Sequence, residues 1–407
     1  MKLPQILTKL AEEIDASGGR LYAVGGWVRD QIMGRGSKDV DCEVHGIELE
    51  HLTSILETHG QVNYVGKSFG VFKLATREGV FDISLPRTDF SVESVTPDPF
   101  LGIERAVLRR DLRCNALMWD PISSKLIDLV EGLKDIEEKR LRAVDQNRFG
   151  EDSLRVLRTA RFAATLGFCP DEDLYRLCRD TPISDQPVER IWGELRRILL
   201  ARNPVNGLDS IAKCGALAVV LPEIAGVERT ELFGALQRAV IRRDGLQKES
   251  GRLCVMLAVL VHPLSTVERR RFFERYKLDR SSGIPVRRIV SALPDVLPVS
   301  VPPTDSQIRY LAECCDFDWA FSVAWAWQPM LDWDAGFRRA SQLGVLDGPL
   351  EKLLSGKDLL ALGLQQSPEM GVMMAAVRKA QLDGVLTTRA EALRWIQQSF
   401  DEESKGA

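Results

Sequence analysis

No run of apolar residues among the 407 approaches the ~18 needed to cross a membrane. The opening Met1-Lys2-Leu3-Pro4 lacks the apolar core of a secretory signal, so a cytoplasmic protein is expected. A surplus of one charge is missing too: 54 Lys and Arg against 58 Asp and Glu leave a formal charge of -4. Any surface for a polyanion must therefore be local. The eight cysteines include no C-x-x-C pair, which indicates neither a zinc knuckle nor a disulfide framework. Histidine is scarce, with four in all and none followed by Asp, so a multi-histidine metal cluster is not expected. What is present, 45% apolar and 28% charged residues, is the composition of an ordinary globular chain of several domains.

Residues 1 to about 135 mix short β-like runs (Leu21 to Val24, Val40 to Val44, Val71 to Leu74, Phe81 to Leu85) with helical segments. Beyond them helical periodicity takes over, broken at Pro182, Pro187, Pro204, Pro222 and Pro263, and the stretch Pro294 to Pro303 is the best candidate linker. The expected fold is α+β, an N-terminal mixed β-sheet followed by a mostly α-helical remainder.

Leu21 to Asp30 reads as a strand, the Gly25-Gly26 turn and the start of a helix. Paired glycines let backbone approach a polyphosphate closely, and Arg29 adds positive charge, although a simple tight turn has the same pattern. Lys38-Asp39-Val40-Asp41 follows and runs into a β-like segment. On a strand, residues i and i+2 share a face, so Asp39 and Asp41 can share divalent cations that relieve their repulsion. Two such cations can activate an attacking hydroxyl and stabilise a leaving pyrophosphate, which makes nucleotidyl transfer the favoured chemistry over a solvated strand end. Asp82, polar within an apolar run, is either a third carboxylate or an exposed strand position. Gly66-Lys67-Ser68 is not a P-loop, because the first glycine of that motif would fall at Gln61.

Glu151 to Ala163 reads as a helix with acidic residues at its start and Gly167 near its end. Asp152, Arg155, Arg158 and Arg161 recur every third residue as a slanted stripe, opposite an apolar arc. A salt-bridged surface is the plain alternative. Three arginines to one aspartate leave charge for phosphates, and a carboxylate beside a guanidinium offers an acceptor next to a donor fork. Cytosine and adenine each show an exocyclic amine beside a ring-nitrogen acceptor, whereas guanine and uracil show a carbonyl beside an N–H. Such a pair would accept C and A.

Taken in order, Gly25-Gly26-x-Val28-Arg29-Asp30, Asp39-x-Asp41, Arg109-Arg110-Asp111-x-x-x-Asn115-Ala116, Glu151-Asp152-x-x-Arg155-x-x-Arg158 and Glu189-Arg190-Ile191 resemble five motifs. These are the motifs of class II tRNA nucleotidyltransferases, the CCA-adding enzymes and their bacterial poly(A) polymerase relatives in the polymerase β superfamily. Gly356 to Gly363 with Gln381-Leu382-Asp383-Gly384 resembles the tail of the CCA-adding branch. The resemblance implies a catalytic head (1–135), a neck with base recognition (136–205), a body (206–293) and a tRNA-binding tail (304–407) in a curved molecule. It also implies template-independent addition of C and A to the 3′ end of tRNA, from CTP and ATP with Mg2+, and neither a membrane nor a DNA partner. By position, Asp39 and Asp41 would hold metal, with Asp82 a candidate third catalytic carboxylate. Gly25, Gly26 and Arg29 would meet the triphosphate, Arg110 the nucleotide and Asp111 the ribose. Asp152 and Arg155 would pair with the base, supported by Arg158 and Arg161.

Three departures stand out. Leu112, Arg113 and Cys114 occupy positions where the family usually has Phe-Thr-Ile. The segment between Arg87 and Arg109 is short and lacks a Gly-rich stretch, which leaves a CC-adding or A-adding activity open beside full CCA addition, and poly(A) synthesis as a further alternative. Leu253 to Pro263 contains no His-Asp pair, so the phosphohydrolase activity of some relatives is not expected. A lapsed, merely RNA-binding protein is the alternative of another class, and the retained Asp39 and Asp41 argue against it. For RNA phosphates the candidate surface is Arg269 to Arg271, Arg275, Lys277 and Arg280, with Arg287-Arg288 beyond and Lys357 in the tail; Phe272, Phe273 and Tyr276 between them are assigned to a core.

Overall fold

Val40, Cys42 and Val44 are buried while Asp39 and Asp41 face solvent, the period-two pattern of a strand with one face on a core. The computed structural model describes residues 1–36, 39–64, 70–87, 97–278, 303–330, 333–362 and 366–403, which fall into two units, Met1–Ala225 and Gly226–Ala407. Lys38, Gly66-Lys67-Ser68, most of the short segment after Arg87, Arg280, Arg287-Arg288, Gly363 and all of Pro294 to Pro303 except Pro303 lie outside the described residues.

In the first unit the strands of the main sheet are β1 (Arg20–Val24), β2 (Asp41–His45), β3 (Gln61–Tyr64), β4 (Val71–Thr76), β5 (Gly79–Ser84), β6 (Met118–Asp120) and β7 (Lys125–Ile127), and Arg140–Leu141 pairs with Cys169–Pro170 in a separate two-stranded sheet. The main sheet is mixed, in the order β3-β4-β5-β2-β1-β6-β7, in which β2 and β5 run parallel and the other neighbours antiparallel. Leu7, Leu10 and Ile14 of α1 (Gln5–Ala16) and Leu52 and Leu56 of α3 (Leu49–His59) share one core with Leu21, Val44, Phe72, Leu74 and Ile83 of the sheet. That core leaves Asp41, Lys73 and Asp82 on the solvated face. Between β1 and β2 runs α2 (Gly26–Ile32).

After α4 (Ile103–Val107) and α5 (Gly132–Glu138) the unit becomes helical: α6 (Arg155–Leu166), α7 (Glu172–Asp180), α8 (Val188–Leu200), α9 (Pro204–Lys213) and α10 (Leu217–Val220). Helix α6 packs on α8 and α9, and the fit is tight at Gly207, where a Cβ would lie 2.6 Å from Ile198 Cγ2 and 2.9 Å from Ala164 Cβ. The α+β architecture agrees with the sequence reading. The start of α6 does not: the expected helix from Glu151 begins only at Arg155, and Asp152 precedes it with φ −128° and ψ 100°. The Asp152 Oδ1 accepts the Leu154 N–H at 3.1 Å, and such a local bond competes with helix formation. The far end is as expected, with Gly167 in the left-handed conformation.

The second unit is built from helices among its described residues, beginning with α11 (Arg229–Arg243), α12 (Glu249–Val261) and α13 (Thr266–Arg275). Residues Leu253 to Val261 are all buried, and Phe272, Phe273 and Tyr276 join the core as expected. Of the neighbouring arginines, Arg269 donates to the Val261 carbonyl at 3.1 Å and to that of His262, and Arg270 pairs with Glu274 at 2.7 Å. The helices Pro368–Leu382 and Arg389–Glu403 enclose a small separate core around Leu359, Val377 and Ile396. No helix among the described residues is long and apolar enough to cross a membrane.

Candidate active site

Strand β1 ends at Val24, the Cα partner of Asp41 at the start of β2. The chain then turns at Gly25, whose φ of +71° suits glycine, and a Cβ there would lie 3.2 Å from Arg110 Nη1. On the other side of β2, Asp41 is the partner of Asp82 on β5. Parallel, in-register pairing places both carboxylates on the solvated face, and Asp39 is exposed two residues before Asp41. Loss of surrounding water pushes the Asp41 pKa up, and the Asp82 carboxylate, then Asp39, push it further against the pull of Arg110 and Lys73. An all-oxygen set of carboxylates with excess negative charge fits a hard divalent cation such as Mg2+. Among the described residues no three His, Cys, Asp or Glu side chains already converge at metal-binding spacing, so a cation would have to draw these together.

Cations gather around Glu43 of β2. Arg110 Nη2 donates to Glu43 Oε2 at 3.2 Å, and Glu43 Oε1 lies 2.9 Å from His45 Nε2, whose ring Nδ1 is 3.0 Å from the Leu101 carbonyl. Against the effect of its burial, the His45 hydrogen bond and the charge of Arg110 hold the Glu43 carboxyl below the usual range. Arg109 is pushed down to about 10, first by burial and then by Arg87, with Arg110 and Arg155 acting in the same sense and Glu43 opposing. One carboxylate among several guanidinium groups leaves a positive surplus that suits a polyphosphate. Glu43 and Arg87 were not anticipated, although Glu43 stands two residues beyond Asp41 in a strand and so on the same face.

Arg29 is only 5% exposed. Its Nε and Nη2 donate to Asp30 Oδ1 at 2.9 and 2.7 Å, and its Nη1 donates to Asn115 Oδ1. Asn115 in turn donates to Asp111 Oδ1 at 3.4 Å, and Arg158 Nε and Nη2 reach Asp111 Oδ2 at 2.8 and 2.6 Å. Burial alone would raise the Asp111 pKa, yet Arg158, with the Leu112 N–H and Asn115, holds it below the usual carboxylate range. Asp111 and Arg29 are thus tied into one buried network below the Gly25 turn. Arg155 is buried as well, with Nη1 and Nη2 donating to the carbonyls of Arg148 and Arg109 at 2.9 and 2.8 Å. Arg161 pairs with the buried Glu194 at 2.7 Å. Only the three arginines of the expected stripe lie on α6. The Asp152 carboxylate, about one-third exposed, has Arg190 of α8 at 3.6 Å, a pairing of the fourth and fifth motifs that spacing alone did not reveal.

Residues 21–142 match a family profile described as the Poly A polymerase head domain, and residues 168–227 one described as a probable RNA and SrmB- binding site of polymerase A. The chain is 36% identical over 261 residues to a Multifunctional CCA protein of Pseudomonas fluorescens, covering 60% of each. A namesake from Alkalilimnicola ehrlichii is 33% identical over 296 residues, 66% of this chain and 68% of that protein. The chain spans between about half and two thirds of the length of the curated relatives it matches. Its fold is that of the Bacillus stearothermophilus CCA-adding enzyme in complex with CTP, with TM-score 0.78 and 23% identity over 100% of both chains. It is likewise that of the Thermotoga maritima CCA-adding enzyme complexed with tRNA, with TM-score 0.68 and 20% identity over 98% of this chain and 96% of that one.

Proposed function

The chain belongs to the family of the CCA-adding enzymes and bacterial poly(A) polymerases, and from that membership we propose that it adds C and A to the 3′ end of tRNA from CTP and ATP, without a template and with release of pyrophosphate. The observation that carries the proposal is the level shared by Asp41 and Asp82 on adjoining strands, flanked by the Gly25 turn and Arg110. Asp39 and Asp41, with Asp82 beside them, would hold Mg2+. When bound, the metal supplies Lewis-acid activation of the attacking hydroxyl and charge neutralisation at the leaving oxygen. The chain's own groups do the rest. Gly25 and Gly26 keep the turn clear of side chains, and Arg110, with Arg109 and Arg87 behind it, attracts the triphosphate.

Asp152 presents an acceptor for the exocyclic amine of C or A. Arg155, expected beside it as a donor to the base, is instead buried with its guanidinium on the Arg148 and Arg109 carbonyls, and so acts as a positioning residue that braces the start of α6. Arg158 and Arg161 act as positioning residues, one through Asp111 and the other through Glu194. Asp111, buried and held by Arg158, Asn115 and the Leu112 N–H, would act on the ribose side only through the loop it fixes, and Arg29 holds the turn through Asn115. In this reading residues 1–135 are the head, 136–205 the neck, and 206–293 and 304–407 a body and tail that bind tRNA, in a cytoplasmic enzyme. The test is incubation of the full chain with a tRNA lacking its CCA end, labelled CTP and ATP, and Mg2+. Label joined to the tRNA and abolished by a chelator is the expected result. No incorporation under any of these conditions would refute the proposal.

A further inference from the structure

One level of side chains crosses the sheet face opposite the α1 and α3 core in the order Asn63, Lys73, Asp82, Asp41 and the buried Val24, because these residues are successive Cα partners on β3, β4, β5, β2 and β1. Neighbouring strands lie about 4.8 Å apart, so Lys73 stands one strand beyond Asp82 and roughly 10 Å from the Asp41 position. On the opposite flank of Asp41 the level runs into the Gly25 turn and Arg110. The acidic pair therefore has a cationic side chain on each side. The two flanks differ in kind: Arg110 is fastened to Glu43, which is itself bonded to His45, whereas Lys73 Nζ lies 3.4 Å from Asp82 Oδ1 with both side chains about half exposed. An exposed pair of that sort is weakly held and exchanges readily for another partner.

This inference rests on the nucleotidyl-transfer reading above. In an in-line displacement at phosphorus, the leaving pyrophosphate and the attacking hydroxyl occupy opposite sides of the reacting atom. With the triphosphate on the Gly25 and Arg110 flank, the RNA end must come in over β5 and β4. We propose that Lys73 is the positioning residue for the RNA being extended, its ammonium leaving Asp82 to take a phosphate oxygen of the 3′-terminal phosphodiester. A lysine is a compact point charge on a flexible stem, suited to a phosphate contact that carries no base preference. The exchange also leaves Asp82 unpaired at the moment its carboxylate is wanted beside Asp41.

The test compares Lys73→Met and Lys73→Arg with the unaltered full chain, measuring KM for a tRNA lacking CCA, KM for CTP, kcat, and the salt dependence of tRNA binding. For Lys73→Met the KM for tRNA should rise roughly three- to tenfold and the log–log salt slope should flatten by about 0.7, the share of one single-strand phosphate. KM for CTP and kcat should stay within about twofold, and Lys73→Arg should restore tRNA affinity because the charge returns. An unchanged tRNA KM and salt slope would overturn the assignment. So would a parallel loss in CTP KM and kcat, which would place the effect at Asp82 rather than at the RNA. If the unaltered chain transferred no nucleotide, the transfer reading would fail, while the salt slope of tRNA binding would still decide whether Lys73 meets a phosphate.

Discussion

Arg158 donates from two nitrogens to one oxygen of Asp111, at 2.8 and 2.6 Å, and so fastens helix α6 to the loop that follows α4. Asp111 is buried, so removing its partner leaves a charge with only the Leu112 N–H and Asn115 to satisfy it. Arg158→Met should cost about 2–3 kcal/mol of stability, at or below the low end for breaking a buried pair because Arg158 itself is more than a third exposed. A double-mutant cycle with Asp111→Asn, followed by thermal melts, should show strong coupling. The Asp111 pKa is lowered in the folded state, so its contribution is complete above the unfolded value of about 3.9 and disappears as pH falls through the folded value. The stability gap between the unaltered chain and Asp111→Asn should close in acid; a gap that persisted there would contradict the pairing.

Asp41 should behave in the opposite sense. Its folded pKa is raised, so its ionisation weakens the metal-free fold as pH climbs above about 3.9, and the penalty is complete once pH passes the folded value. Asp41→Asn should therefore melt higher than the unaltered chain at pH 7 in a chelator, with no difference near pH 3. The same variant should lose on the order of a thousandfold in nucleotide transfer, the loss of several kcal/mol of transition-state stabilisation. Mg2+ should raise the melting temperature of the unaltered chain and leave the variant almost unmoved. A variant both less stable and still active would remove Asp41 from the metal site.

Asp152→Ala should relax the choice of C and A over G and U by about 1–3 kcal/mol, the value of one well-placed polar pair to a base edge. Competition among the four nucleoside triphosphates for incorporation measures it directly. Arg190, 3.6 Å from Asp152, should share a weaker form of the phenotype on replacement by Met. Selectivity unchanged in Asp152→Ala would end the base-reading role.

Residues 20–32 were legible in the sequence because a strand, a left-handed glycine and an amphipathic turn are written in neighbouring residues. The pairing of Asp41 with Asp82 was not, since it depends on β2 and β5 lying parallel and in register, and alternation within either strand leaves that register open. Lys73 stayed out of view for the same reason, and Glu43 because its partner Arg110 lies 67 residues away in the chain. The helix start was misplaced because Glu151-Asp152 has the composition of a helix opening, while the Asp152 side chain binds a backbone N–H locally. Arg29 reads as a charge beside the turn and Arg155 as part of a polar stripe, yet both are buried, because the Asn115 side chain and the Arg109 carbonyl, remote in the chain, accept from them.

The most direct test of the central claim offers the full chain three tRNAs, ending at the discriminator base, at C and at CC, each with CTP alone or ATP alone and Mg2+. The account predicts that CTP extends the first two, that ATP extends the third, and that Asp39→Ala and Asp41→Ala abolish every product. Transfer that survived loss of both carboxylates, or no extension of any of the three by the unaltered chain, would contradict it.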